Sequence, residues 1–178
     1  MSDKKLLVVL DFNGTILDST HHQHKGVIHD AMARYKYVYF RPGMQQFISW
    51  LMSQPDVEVA LWTSNIAKNA NALANIVFTE DHQKKLVFTF AREQCKVFPD
   101  YSSQKPMQTI MDRMMVYEHT NIIVVDDSPE KILNSDPPID YYQIPTFEAS
   151  PITLTTDSHL LELQTYIAKR LEDLKSTD

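Results

Sequence analysis

The chain has 178 residues, 43% of them hydrophobic, and a net charge of −6. That apolar content is enough for one sizeable core and leaves little room for a second, so a single domain spanning residues 1–178 is expected. The acidic balance argues against a general nucleic-acid or anionic-membrane surface, and no apolar run approaches the roughly 18 residues of a membrane span.

In chain order, Met1-Ser2-Asp3-Lys4-Lys5 leads directly into Leu6-Leu7-Val8-Val9-Leu10. This short apolar run, partly β-branched, predicts a strand near 5–11 buried on both faces. It delivers Asp11-Phe12-Asn13-Gly14-Thr15 at the strand's carboxyl end, the edge at which open parallel sheets bind ligands. A glycine one turn on lets backbone N–H groups close around a phosphate oxygen.

Residues 18–39 follow, with His21, His22, His24 and His29 close together. No carboxylate or thiol spacing completes a zinc pattern, so a solvated loop or helix start is expected there. Tyr35, Tyr37 and Tyr39 alternate, as on one face of a strand; with Phe40 they could also wall a peptide site. Arg41-Pro42-Gly43 precedes a helix near 43–54, and Val57-Glu58-Val59-Ala60-Leu61-Trp62 predicts a strand ending at Thr63-Ser64-Asn65. Thr63 is placed to cap the helix near 65–76.

A strand near 86–90 leads to Phe90-Ala91-Arg92-Glu93-Gln94-Cys95. The lone Cys95 cannot form an internal disulfide and reads as a small core residue, consistent with a reducing, cytoplasmic or nuclear compartment. Lys105 and Pro106 stand at the start of a helix near 105–116, with Met107, Ile110, Met111 and Met114 on one face. Asn121-Ile122-Ile123-Val124-Val125 predicts a strand near 121–126 that ends at Asp126-Asp127-Ser128-Pro129, and another strand lies near 141–144. The last helix, near 158–175 and capped by Asp157 or Ser158, puts Leu160, Leu163, Ile167, Leu171 and Leu174 on one face, a stripe suited to docking on the sheet. Alternating strands and helices without repeats imply a parallel α/β sheet.

The order Asp11, then Thr63-Ser64, then Lys105, then Asp126-Asp127 resembles the four-motif order of the haloacid dehalogenase-like (HAD-like) phosphotransferases. Receiver domains use similar residue types, but their acidic pair comes first and their lysine last. Tyr39-Phe40-Arg41-Pro42-Gly43, Leu61-Trp62-Thr63-Ser64-Asn65 and Asp126-Asp127-Ser128-Pro129 narrow the resemblance to the FCP/SCP branch, phosphatases of the RNA polymerase II carboxy-terminal domain and their relatives, over about residues 6–147.

The resemblance implies a three-layer Rossmann-like fold with a central, mainly parallel sheet and a short insertion, 18–39, after the first strand. It implies a Mg²⁺-dependent phosphoserine/phosphothreonine phosphatase acting on a phosphorylated protein or peptide. Asp11 would be the nucleophile. Thr15, Thr63, Ser64 and Lys105 would hold the phosphoryl group, and Asp11, the Asn13 carbonyl, Asp126 and Asp127 would bind the metal. Asn13 departs from the family pattern Asp-x-Asp-x-Thr, whose second aspartate is the general acid–base. An amide can neither give nor take that proton, so slow turnover or a binding-only pseudophosphatase is implied; an engineered substitution fits equally. Arg41 and Arg92 are further local cations, expected to form helix-end or surface salt bridges.

Overall fold

The computed structural model describes residues 5–176; the lead-in Met1–Lys4 lies outside the described residues. At its centre is a five-stranded sheet with every neighbouring pair parallel. From edge to edge its order is β11 (Asp140–Gln143), β9 (Ile122–Asp126), β1 (Leu6–Leu10), β5 (Val57–Trp62) and β6 (Thr89–Phe90). β1 is the middle strand, with Val8 facing Val59 of β5 on one side and Ile123 of β9 on the other.

Side chains alternate across a strand, so β1 feeds two cores. Leu6, Val8 and Leu10 join the larger core with Phe47, Ile48 and Leu51 of α1 (Met44–Ser53) and Leu73 of α2 (Ala67–Val77). Leu160, Leu163, Ile167 and Leu171 of α6 (His159–Ser176) complete it. Leu7 and Val9 join the opposite core with Trp62, Phe90, Met107 and Ile110, the last on α4 (Gln108–Arg113). Every β1 side chain is at most 1% exposed. Burying a side chain of this size stabilises by about 1.5–3 kcal/mol, and truncating one to alanine costs about 2–5 kcal/mol. The C-terminal stripe therefore does dock on the sheet, with Leu174 half-buried at its end.

Three expectations are corrected. Residues 18–39 are not loop throughout: β2 (Leu17–Thr20), β3 (Ala31–Ala33) and β4 (Lys36–Phe40) form an antiparallel sheet in the order β2-β4-β3, while the four histidines do lie in the irregular segment 21–30, with His21 and His22 exposed. In the segment joining β2 to β3, His24 Nε2 meets Asp18 Oδ2 of β2 at 2.7 Å, and Asp18 also accepts from the Ala149 backbone N–H. Tyr35, Tyr37 and Tyr39 do not make a shared wall, because Tyr39 is wholly buried and Tyr35 is 79% exposed. The third correction concerns Lys105, which is not at a helix start. It lies on β8 (Ser103–Pro106), between β7 (Lys96–Val97) and β10 (Ile132–Leu133), and α4 begins three residues later. The remaining helices, α3 (Glu80–Lys84) and α5 (Thr153–Thr156), are short connectors.

Candidate active site

Three neighbouring parallel strands end side by side, and each delivers a functional side chain: β1 brings Asp11, β5 brings Thr63 and β9 ends in Asp126. The Asp11 N–H bonds the Val125 carbonyl, extending the sheet contact one residue past β1. The chain then wraps tightly, with Thr15, Ile16 and Leu17 all donating to the Phe12 carbonyl and Gly14 donating to Leu17. Gly14 has φ +80, where a β-carbon would lie 2.3 Å from Asp127 Oδ2. Glycine therefore lets the turn approach the acidic pair without displacing the Asp127 side chain.

Lys105, 1% exposed, reaches in from β8. Its Nζ donates to Asp11 Oδ1 at 2.9 Å, to Asp126 Oδ2 at 2.5 Å and to the Trp62 carbonyl at 2.7 Å. Burial alone would push the Lys105 pKa down, but Asp11 and Asp126 outweigh it and hold it above the ordinary value. The ammonium therefore stays charged. Burial pushes the Asp11 carboxyl up to about 7; Lys105 pulls against that rise, while Asp126 and Asp127 add to it. Two carboxylates thus share one ammonium, with Asp127 beside them. Ligand atoms of Asp11, Asp126 and Asp127 lie within 4.8 Å of one another, a spacing that could hold a metal ion.

The other candidate residues have clear local roles. Thr63, 1% exposed, accepts at Oγ1 from the Asn65 backbone N–H (3.2 Å) and Asn65 Nδ2 (3.0 Å). This is a hydroxyl turn and not a helix cap, and α2 starts only at Ala67. It leaves the Thr63 proton free to donate. Ser64 is half-buried beside it. Asn13 is exposed, and its Oδ1 accepts from both the Ser19 backbone N–H (2.6 Å) and Ser19 Oγ (3.1 Å). Thr15 is wholly buried, and its hydroxyl has no hydrogen-bond partner among the described residues.

Arg41 makes the expected helix-end salt bridge, but buried and not at the surface. It is 1% exposed and grips both carboxylate oxygens of Asp157 at 2.9 Å, together with the carbonyls of Thr15, Gly14 and Pro145. It clamps the site loop from behind, while the same Asp157 caps α6 through the His159 N–H. Arg92 is half-buried and donates to the Tyr101 carbonyl, outside the carboxylate cluster. Cys95 is half-buried against the Ala91 and Thr63 carbonyls, and burial raises its thiol pKa. Sequence reasoning misses Ser19, the residue that orients Asn13, because its only signal is its place on the opposite side of a turn. Among the described residues, no helix is long and apolar enough to cross a membrane.

Comparison with known proteins agrees with this architecture. No curated protein matches the sequence. Among solved structures, a fission yeast RNA polymerase II CTD phosphatase Fcp1 variant bound to beryllium fluoride is similar over 99% of this chain and 52% of its own. It is 16% identical, with a TM-score of 0.56. A second Fcp1 structure, described as an essential RNA polymerase II CTD phosphatase, matches at 16% identity and a TM-score of 0.57, with coverage of 99% and 50%. An uncharacterized protein from Listeria monocytogenes serotype 4b matches at 12% identity and a TM-score of 0.55, with coverage of 94% and 99%. The chain thus spans about half the length of the Fcp1 structures, and these likenesses show the HAD fold alone. The sequence matches the NLI interacting factor-like phosphatases over residues 6–178, from the first residue of β1 through the end of α6, and the chain belongs to that family.

Proposed function

We propose that this chain acts as a single-domain, Mg²⁺-dependent phosphoprotein phosphatase, working through an aspartyl phosphate on Asp11 and slowed by Asn13. The observation that carries this reading is the site's charge balance: three clustered carboxylates face one buried ammonium. A divalent cation would offset that excess, and an all-oxygen donor set suits Mg²⁺. Asp11, Asp126, Asp127 and the Asn13 carbonyl would hold it. When bound, the cation neutralises charge on the phosphoryl oxygens.

The chain's own residues supply the rest. An Asp11 oxygen attacks phosphorus as the ester P–O bond breaks, leaving the phosphoryl group on Asp11 and the electron pair on the departing alkoxide. Lys105 and Thr63 aim a charge and a donor at the phosphoryl oxygens, with Ser64 and Thr15 completing that side. Water then attacks the aspartyl phosphate, releasing inorganic phosphate and restoring Asp11.

Both steps need a proton carrier at position 13. The two Ser19 donors would stabilise a carboxylate there as readily as they hold the amide oxygen. General acid–base help typically contributes roughly 10²–10⁴-fold, so the amide should leave slow turnover of alkyl phosphates, faster release of good aryl leaving groups, and a persistent aspartyl phosphate. The same amide supports a second reading, a pseudophosphatase that holds a phosphorylated protein without consuming it.

The test is Mg²⁺-dependent hydrolysis of an aryl phosphate and a phosphoserine peptide by the unaltered chain, Asn13→Asp and Asp11→Asn. The expected result is a gain of about 100-fold or more on the peptide for Asn13→Asp and no activity for Asp11→Asn. Inactivity of Asn13→Asp on both substrates would give the lead to the binding-only reading.

A further inference from the structure

Between the β2-β4-β3 sheet and α2 lies an open cavity of about 310 Å³. Two of its lining residues are the ones that hold the candidate site in place. Ser19 fixes the Asn13 side chain, and Asn65 fixes the Thr63 hydroxyl. The cavity therefore adjoins the place where a phosphoryl group would sit, and a peptide entering with its phosphate at Asp11 would lay its neighbouring residues here.

The charge of this cavity is opposite to that of the molecule. The chain carries −6 overall, yet His21, Arg34 and Lys36 line the cavity and no Asp or Glu does so among the described residues. Leu73 and Ala33 provide a buried apolar floor, while Tyr35 stands 79% exposed at the rim. Arg34 sits at the first position of the two-residue turn joining β3 to β4, with φ 58. Tight hairpin turns give such positions to Gly, Asn or Asp, because a larger side chain is strained at positive φ. Arg34 thus stands in a backbone conformation that disfavours it, at the lining of the cavity.

We infer that this cavity is a specificity subsite for an anionic side chain of the substrate, a carboxylate or a second phosphate a few residues from the phosphoserine. The inference deepens the phosphoprotein-phosphatase reading and rests on it. Arg34 and Lys36 supply the attraction, the apolar floor takes the aliphatic part of the recognised residue, and Tyr35 covers the peptide backbone. Because Arg34 is exposed and Lys36 only half-buried, their contribution is moderate and falls with salt.

The test uses Asp11→Asn protein with Mg²⁺, so that bound peptide is not consumed, and fluorescence anisotropy of three labelled phosphoserine peptides. One has Glu at the second and third residues from the phosphoserine, one has Gln there, and one has a second phosphoserine. The expected result is that an anionic peptide binds about tenfold tighter than the Gln peptide in low salt, with the preference falling to about threefold or less in Arg34→Asn/Lys36→Gln. Preference for the Glu peptide assigns the subsite to carboxylates, and preference for the doubly phosphorylated one assigns it to phosphate. Asn suits positive φ, so Arg34→Asn keeps or raises the thermal midpoint, which separates lost recognition from lost folding. Equal binding of all three peptides, no binding of any, or equal weakening of all in the double variant overturns the inference. Turnover of an aryl phosphate by the Asp11-containing protein reports separately on the phosphatase reading.

Discussion

Lys105 and Arg41 are both 1% exposed, both bind carboxylates and both tie distant segments together, yet their surroundings differ in one respect. Arg41 meets one carboxylate, Asp157, with bidentate geometry, and its remaining donors end on three carbonyls. That site is neutral and saturated. Lys105 meets Asp11 and Asp126 with Asp127 close by, and the Asp11 carboxyl is pushed up to about 7. A buried cation therefore does not by itself mark a site of chemistry; the excess charge left around it does.

Removing each cation should break the comparison cleanly. Arg41→Ala leaves Asp157 buried without its partner and frees three carbonyls beneath the site loop. An expected loss of about 3–5 kcal/mol in urea unfolding, not restored by Mg²⁺, follows from stranding a buried charge. A loss under about 1 kcal/mol would mean that water replaces the guanidinium. Arg41→Lys should recover only part of it, because an ammonium cannot fork across both Asp157 oxygens.

Lys105→Met should behave in the opposite way. It removes a fixed charge aimed at the phosphoryl group, so turnover of an aryl phosphate should fall by roughly 100- to 1,000-fold at saturating Mg²⁺. The three carboxylates then lack any cation, so the thermal midpoint of this variant should rise more with added Mg²⁺ than that of the unaltered chain. Residual activity within tenfold of the starting value would remove Lys105 from the chemistry. Smaller still is the change expected for Asn13→Asp, a gain of about 100-fold on the phosphoserine peptide. Its pH profile should acquire a limb that the unaltered chain lacks.

How far these sites are legible in the sequence follows from how local their causes are. β1, β5 and β9 are near-continuous apolar runs, so the apolar pattern alone places their ends, and with them Asp11, Thr63 and Asp126. The motif order singles out Lys105 but not the strand that carries it. Ser103-Gln104-Lys105-Pro106 has no strand pattern of its own and is held by pairing with Ile132 and Leu133. The buried role of Arg41 is hidden for a similar reason: its partner Asp157 lies 116 residues away, which no local pattern encodes. The histidines of the insertion look solvated by composition, and His21 and His22 are exposed, whereas His24 folds back onto Asp18 of β2 and its backbone N–H donates to the Tyr39 hydroxyl of β4, a contact 15 residues away. Family resemblance supplies long-range order that periodicity cannot.

The smallest effect sharpens the comparison most, because two glycines provide a matched pair. Gly14 and Gly43 have φ +80 and +79, so alanine at either costs about 1–2 kcal/mol of backbone strain. Around Gly43 nothing lies within 4 Å of an added β-carbon, whereas at Gly14 that atom would lie 2.3 Å from Asp127 Oδ2 and 2.8 Å from its Cγ. Asp127 is a half-buried side chain that can swing away, so the two variants should lose similar stability in urea. Their metal response should separate. Gly14→Ala should raise the Mg²⁺ concentration needed for half-maximal turnover by roughly tenfold, since it displaces a proposed ligand. Gly43→Ala should leave that concentration unchanged, because it lies beside Arg41 in the saturated cluster. Equal Mg²⁺ requirements in the two variants would mean that Asp127 does not bind the metal, leaving Asp11 and Asp126 as its only side-chain ligands in the cluster.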